Sequence, residues 1–175
     1  MDLERKFARG EGAVRLEEAC VVAGYASWFG VEDKGRDVVE AGAYTDCLAR
    51  MAHEGRRVKM LWQHDPAQVI GVWDEVVEDA RGLRVKGRLL PDVPRAREAA
   101  ALLAAGALDG LSIGYSVKRA TRDADGRRRL KELELWEVSL VTFPMLPSAR
   151  VGAKAARSRD VARALAAARQ EMAGV

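Results

Sequence analysis

Apolar and polar residues alternate through much of the chain between positions 20 and 143, a pattern that predicts strands. The clearest segment is 83–90, in which apolar residues or glycine alternate with basic residues, as in a sheet with one wet face. Asp125-Gly126, a typical hairpin turn, is predicted to join the last two strands. The other predicted strands are Val21 to Gly30, Val58 to Trp62, Ile70 to Val77, Leu111 to Val117 and Leu130 to Phe143.

Two shorter segments have the spacing of helices. Residues 43–53 carry apolar positions at helical spacing before Gly55, and a second helix is predicted over 94–105 with Asp92 as its cap. The strand that ends near Trp62 is expected to stop before Pro66. At least six strands and two helices, joined mostly by hairpins, predict a mainly β member of the α+β class. The expected architecture is a compact antiparallel β-barrel with peripheral helices.

The net charge of +3 is located at one end of the chain. Residues 152–175 contain five basic and two acidic residues, which leaves 24 of each in 1–151. A neutral body disfavours a dedicated nucleic-acid-binding fold. The pattern divides the chain into an N-terminal segment (1–19), one domain (20–151) and a basic Ala/Arg-rich tail (152–175), which is predicted to be helical. The tail has three possible roles: a targeting segment, a self-cleavage segment or a frayed terminus.

Composition favours a protein of the cytoplasm. No stretch approaches the roughly 20 apolar residues of a membrane helix. The charged residues at the start are not followed by the apolar segment that a secretory signal contains. The cysteines, Cys20 and Cys47, suit a reducing compartment and are expected in the core. The four tryptophans are also expected in the core: Trp28, Trp62, Trp73 and Trp136. Two histidines without zinc-site spacing, and no phosphate-binding loop, predict neither metal nor cofactor.

Gly110–Gly114 matches the G-x-S-x-G pattern of a hydrolase nucleophile elbow. The α/β-hydrolase form is excluded because a helix precedes Ser112, a strand follows it, and both histidines come earlier in the chain. Ser112 is expected to point away from Leu111 and Ile113. Its role stays open between a solvated strand serine and a nucleophile whose flanking glycines clear space around the hydroxyl.

A serine nucleophile near neutral pH usually needs a histidine base and an acid that orients it. His64 stands where a strand ends, whereas His53 stands at a predicted helix end and is expected to be solvated or capping. By strict alternation Glu137 shares an apolar strand face with Leu133 and Leu135, where an unpaired carboxylate is costly. It is expected either to orient a histidine or to pair with an arginine. Weaker candidates for the orienting acid are Asp37, Asp65 and Asp109.

Four blocks in order along the chain resemble the prohead, or head-maturation, proteases of tailed phages. They are Gly24–Gly30, Val58–Asp65 with Ile70–Trp73, Ala107–Tyr115 and Leu135–Pro144. The resemblance covers residues 20–151. It implies a serine endopeptidase related in fold to the herpesvirus protease assemblin. By motif, it also implies His64 as general base, Ser112 as nucleophile and, less firmly, Glu137 as the third member.

The resemblance also implies a role in capsid maturation inside the immature head, in the bacterial cytoplasm. The expected substrates are scaffold segments, the scaffold-like region of the major capsid protein, and the protease itself. A homodimer is possible, while membrane and nucleic-acid partners are not expected. The source would be a phage, a prophage or a gene transfer agent. The alternative is a catalytically silent capsid-assembly protein that keeps the same fold.

Overall fold

The computed structural model describes residues 21–152 of the chain. This part is mainly β, with seven strands and two helices. In chain order the elements are β1 (Val21–Trp28), β2 (Asp37–Val39), α1 (Thr45–His53), β3 (Lys59–Trp62), β4 (Asp65–Glu78), β5 (Gly82–Leu89), α2 (Pro94–Ala104), β6 (Gly110–Arg122) and β7 (Arg128–Val141). The fold class predicted by the alternation is therefore confirmed.

The strands form one curled sheet built around β7. The path runs β1, β5, β4, β3, β7 and β2, while β6 pairs with β7 along nearly its full length. Strands β2 and β3 share the other edge of β7, one at each end, and both run parallel to it. The expectation of a wholly antiparallel sheet is wrong at these two pairings. Parallel neighbours need a long crossover, and the chain between β3 and β7 supplies one.

A short segment after β7 closes one end of the curl. Val151 bridges to Gly24 of β1, and Arg150 bridges to Gly110 of β6. The Leu111 N–H also donates to the carbonyl of Ala149. These contacts join β1 to β6 at one end of the seam between them. The other end of the seam has no such bridge among residues 21–152.

The core lies inside the curl, and both helices cover it. Helix α1 contributes Cys47 and Met51, and Cys47 Sγ contacts the backbone of Leu135. Helix α2 contributes mainly small residues. The largest fully buried side chains are Tyr44, Met60, Ile70, Leu83, Leu89, Leu111, Leu130, Leu133, Leu135 and Leu140. Burying such side chains is the main stabilising contribution to a domain of this size.

β3 ends at Trp62, before Pro66, as predicted, whereas β4 begins at Asp65 rather than near Ile70 and therefore contains Pro66. The β3–β4 register moves directly from Trp62↔Asp65 to Leu61↔Val69. Pro66 thus falls in an irregular stretch that needs no ladder hydrogen bond from it. Asp92 does not cap α2: the cap position is Val93, without a side-chain hydrogen bond, and the helix relies on Pro94 in its first turn.

Neither helix within residues 21–152 is long and apolar enough to cross a bilayer. The predicted helical tail and Cys20 lie outside the described residues. Of the tryptophans, Trp73 is in the core as predicted, whereas Trp136 is 62% exposed and contradicts that prediction.

Candidate active site

Three elements bring the predicted site residues to one region of the sheet. His64 lies in the turn between β3 and β4, Ser112 in β6 and Glu137 in β7. Ser112 stands directly opposite Ser139 in the β6–β7 pair, and Gly114 stands opposite Glu137. Directly opposed residues have Cβ atoms about 5 Å apart. The sheet register therefore sets Ser112 beside the strand segment that carries Glu137.

The turn that presents His64 has an uncommon backbone. Trp62 pairs with Asp65, so Gln63 and His64 form a two-residue loop with φ of 52° and 64°. Positive φ at both positions is the signature of a type I′ hairpin turn, usually made by Asn-Gly. A side chain in this conformation costs roughly 1–2 kcal/mol, and such backbone strain concentrates at functional sites.

The end of β7 anchors this turn. The Gln63 N–H donates to the carbonyl of Leu140 at 3.0 Å. The Gln63 side chain also donates through Nε2 to Thr142 Oγ1 at 2.8 Å and accepts from the Thr142 N–H at 3.3 Å. These contacts fix the turn relative to β7, the strand that carries Glu137.

His64 and Glu137 form a direct side-chain contact. His64 Nδ1 lies 2.6 Å from Glu137 Oε1, and the imidazole is 42% exposed whereas the Glu137 side chain is 10% exposed. An ionised carboxylate only accepts hydrogen bonds, so the proton in this contact belongs to Nδ1. Nε2 is then left as the basic nitrogen, which is the arrangement of a histidine oriented by an acid.

A second hydroxyl completes this cluster. Ser139 Oγ donates to Glu137 Oε2 at 2.6 Å and accepts from the His64 N–H at 3.0 Å. Sequence reasoning missed Ser139. The spacing of Glu137 and Ser139 could have indicated it, since residues two apart in a strand share a face.

A β-bulge at Trp136 changes the face on which Glu137 lies. Tyr115 pairs with Leu135, but the next residue back along β6, Gly114, pairs with Glu137, so Trp136 is an extra residue in β7. Beyond the bulge, inward and outward positions exchange parity. The prediction that Glu137 shares a face with Leu133 and Leu135 is therefore wrong. Glu137 lies on the same face as Ser112, opposite the core.

Gly114 gives the Glu137 carboxylate its space. A Cβ at Gly114 would lie 2.1 Å from Glu137 Oε1 and 2.7 Å from its Cδ, closer than any real contact. Only glycine is compatible with the carboxylate in this position. The second glycine of the G-x-S-x-G pattern therefore accommodates the acid, a role that the sequence pattern did not reveal.

Ser112 is 5% exposed, so the interpretation as a solvated strand serine does not describe it. It points away from Leu111 and Ile113, as predicted, and it borders a pocket of about 310 Å³ in the open part of the seam between β1 and β6. The pocket lining includes apolar residues, among them Ala26, Trp28, Val31, Met145 and Leu146. Its polar lining includes Asp37, Tyr115 and Arg128. The serine thus lies beside a cavity that could admit part of a polypeptide.

The weaker candidates do not contact His64. Asp37 binds Arg128, and Asp109 forms an ion pair with Arg150. Asp65 Oδ1 accepts from the N–H of Ala67 in a local turn. His53 is exposed at the last position of α1.

The Asp37 carboxylate is bound by Arg128, an arginine whose charge is permanent. The carboxylate accepts from Arg128 Nε at 2.8 Å and from the Tyr115 hydroxyl at 3.1 Å. The hydrogen bonds from Arg128 hold the pKa of Asp37 below its usual range. Burial and the neighbouring Asp37 carboxylate raise the pKa of Tyr115.

As for metals, the described segment 21–152 contains no group of three His, Cys, Asp or Glu side chains placed to hold an ion.

The sequence matches a known family over most of its length. The family is described as the caudovirus prohead serine protease, and its sequence model matches residues 11–164. The chain belongs to this family. The prohead protease of Enterobacteria phage HK97 is 33% identical over 155 residues, which cover 87% of this chain. The chain spans 65% of the length of that relative.

Solved structures share the fold of this family member at low sequence identity. The capsid assembly protease of bacteriophage T4 superposes with a TM-score of 0.57 at 13% identity, covering 69% of this chain and 81% of that one. The KSHV protease, solved with a hexapeptide phosphonate inhibitor, gives 0.52 at 14% identity, covering 75% and 63%. The predicted assemblin-like fold is confirmed.

Proposed function

We propose that this chain is a serine endopeptidase of capsid maturation, with Ser112 as nucleophile, His64 as general base and Glu137 as the acid that orients it. The observation that carries the proposal is the contact between His64 Nδ1 and Glu137 Oε1, 2.6 Å long, on the sheet face that also bears Ser112. Membership of the prohead serine protease family supports the same reaction class.

The proposed reaction is acyl transfer to Ser112 followed by hydrolysis. Ser112 Oγ attacks the carbonyl carbon of the scissile peptide bond while His64 Nε2 takes the hydroxyl proton. The tetrahedral intermediate collapses, the C–N bond breaks, and His64 gives that proton to the leaving amine. Water then attacks the acyl-enzyme, again with its proton passing to His64, and release of the new carboxyl end restores Ser112. Glu137 stabilises the imidazolium that forms in each half-reaction.

The proposed substrates are scaffold segments and the scaffold-like region of the major capsid protein, with self-cleavage as a further activity. The HK97 relative is named a prohead protease and the T4 structure a capsid assembly protease, which supports a substrate inside the immature head. The proposed site of action is therefore the prohead in the bacterial host.

The test is co-expression with a major capsid protein from the same source. The wild type should convert the capsid protein to shorter products on a gel, and Ser112→Ala should leave it uncut. Ser116→Ala is the matched control, because Ser116 lies on the same face of β6, opposite Glu134, and makes no side-chain hydrogen bond within residues 21–152. Cleavage by Ser112→Ala would overturn the nucleophile assignment. Heads that assemble with uncut capsid protein in the wild type would favour the catalytically silent alternative.

The excess positive charge of residues 152–175 is proposed to carry the protease into the head by binding acidic segments of scaffold or capsid protein. Attraction between exposed charges weakens with salt. Deleting residues 152–175 should reduce the amount of protease packaged into heads while cleavage of capsid protein in solution persists. Normal packaging of the shortened chain would contradict this role.

A further inference from the structure

We infer that Ser139 is a positioning residue of this site, which holds the Glu137 carboxylate and the His64 turn in the geometry that proton transfer requires. The inference rests on the proposed serine protease function. Ser139 does not face the reacting bond as Ser112 does: its hydroxyl is engaged by the acid and by the histidine backbone. It acts through its neighbours.

A single hydroxyl links the two parts of the site that come from different elements. Ser139 Oγ uses its proton for Glu137 Oε2 and a lone pair for the His64 N–H. Ser139 is completely buried, so water cannot replace either contact. The single proton of the hydroxyl and one of its two lone pairs are therefore committed to these two partners.

Glu137 depends on this contact because few other groups bind it. Within 21–152 its carboxylate accepts hydrogen bonds from His64 Nδ1 and Ser139 Oγ, and it forms no ion pair with lysine or arginine. A buried carboxylate that loses a donor loses much of the compensation for its desolvation. Removing the hydroxyl leaves Oε2 unsatisfied, and the carboxylate is then free to rotate away from Nδ1.

The same hydroxyl supports the strained turn. His64 has φ of 64°, and its N–H has Ser139 Oγ as its acceptor. A residue held in a sparsely populated conformation keeps it only where the surrounding contacts enforce it. Without Ser139 Oγ as acceptor, the His64 turn is held less firmly. His64 Nε2, which must reach Ser112 in the proposed mechanism, is then less well positioned. A displacement of about 1 Å in a catalytic group can cost about a hundredfold in rate.

The first experiment compares Ser139→Ala, Ser139→Thr and the control Ser116→Ala by their rate of reaction with diisopropyl fluorophosphate. Ser112 Oγ forms a bond to phosphorus, fluoride leaves with the bonding electrons, and His64 takes the hydroxyl proton. Ser139→Ala should react about ten- to a hundredfold more slowly than wild type. Ser139→Thr keeps a hydroxyl and should lie between Ser139→Ala and wild type, and Ser116→Ala should match wild type. A wild-type rate in Ser139→Ala, or no rescue by Ser139→Thr, would overturn the inference.

The second experiment reads the geometry without any reaction. The short contact from Nδ1 to Glu137 should give a strongly downfield imidazole N–H resonance in the proton NMR spectrum, assigned by its loss in His64→Ala. Ser139→Ala should shift or broaden this resonance while the rest of the amide spectrum stays dispersed, and Ser116→Ala should leave it unchanged. An unaltered resonance in folded Ser139→Ala would overturn the positioning role even if the wild type has no protease activity.

A double-mutant cycle separates positioning from general stabilisation. If Ser139 acts chiefly through Glu137, adding Ser139→Ala to Glu137→Gln should slow the reaction by less than about threefold further, because groups that act as a unit are not additive. A purely structural serine would give the same fold-loss in both backgrounds, which would contradict the inference.

Discussion

Two buried carboxylates lie at opposite ends of β7, Asp37 on the neighbouring strand β2 and Glu137 within β7 itself, and their partners differ in kind. Asp37, at the start of β7, is bound by the Arg128 guanidinium and by the hydroxyl of Tyr115. Glu137, near the other end, is bound by the imidazole of His64 and by a buried serine hydroxyl. Both groups are satisfied, but only Asp37 has a partner with a permanent charge.

This difference suits Asp37 to a structural clamp and Glu137 to its proposed role beside a general base. Arginine stays protonated, so Asp37 is neutralised at every physiological pH, and its pKa is lowered by that partner. Glu137 faces a histidine, whose charge changes during general acid–base catalysis. Its negative charge is therefore available to stabilise an imidazolium when one forms. The His64 imidazole is more exposed than the buried Glu137 carboxylate, so a substrate can approach it.

The largest effect should follow from removing the titratable partner. We expect His64→Ala to lower the reaction rate by about 10⁶-fold, since triad members act as a unit. His53→Ala is the matched control and should keep wild-type activity, because His53 lies exposed at the end of α1. The measurement is the rate of capsid-protein cleavage. If His53→Ala were the damaging change, the base assignment would be wrong.

A smaller loss should follow from neutralising the acid while keeping its shape. Glu137→Gln should lower the same rate by about 10⁴-fold, as the amide substitution of an orienting acid does. The unfolding free energy should change by about 1 kcal/mol, the contribution of a typical hydrogen bond, because the amide oxygen of the glutamine can still accept from His64 Nδ1. Rates and thermal unfolding of the same preparation test both points. A folded Glu137→Gln protein with wild-type activity would leave His64 without an orienting acid.

Displacing the acid should have the next effect. In Gly114→Ala the new Cβ would overlap Glu137 Oε1, so the carboxylate must move away from His64. We expect a loss of about a hundredfold in rate. Gly152→Ala is the control, because its Cβ would meet only an ordinary contact, 3.4 Å from the carbonyl oxygen of Ala23. Equal activity in the two variants would show that Glu137 tolerates displacement.

The opposite behaviour is expected at the other end of β7. Asp37→Asn should lower the unfolding free energy by about 2 kcal/mol through the loss of charged hydrogen bonds. Because its partner Arg128 lowers the folded-state pKa of Asp37, this contribution is fully present above the unfolded value near 3.9 and is lost as pH falls through the folded value. Denaturant unfolding should show a constant gap from wild type above about pH 5 that narrows below about pH 4. A gap that widens in acid would contradict the clamp.

Strand positions could be read from the sequence, while the pairing of some strands could not. Alternation of apolar and polar residues reports which residues face the core, and it located six of the seven strands approximately. The seventh, β2, has only three residues, which are too few to show alternation. Alternation carries no information about which distant strand becomes a neighbour, so the parallel pairings of β2 and β3 with β7 were not predicted. The start of β4 was predicted too late, near Ile70, because the residues from Asp65 onward do not alternate and pair irregularly with β3.

At the site, His64 and Ser112 could be identified from motifs, but the environment of Glu137 could not. Strict alternation placed Glu137 on the core face, and the bulge at Trp136 reverses that placement. A bulge is a property of two paired strands, so one strand's pattern does not reveal it. The two-residue spacing from Glu137 could have indicated Ser139, but the contact of Ser139 with the His64 N–H forms only after β3 and β7 pair.

The central claim is that Ser112 is a nucleophile activated by His64 and Glu137. Its most direct test is peptide mass spectrometry after treatment with diisopropyl fluorophosphate. We expect one phosphoryl adduct, located on Ser112, that forms in the wild-type protein and forms much more slowly in His64→Ala. A wild-type protein that stays unlabelled, or an adduct on another serine that forms equally well without His64, would contradict it.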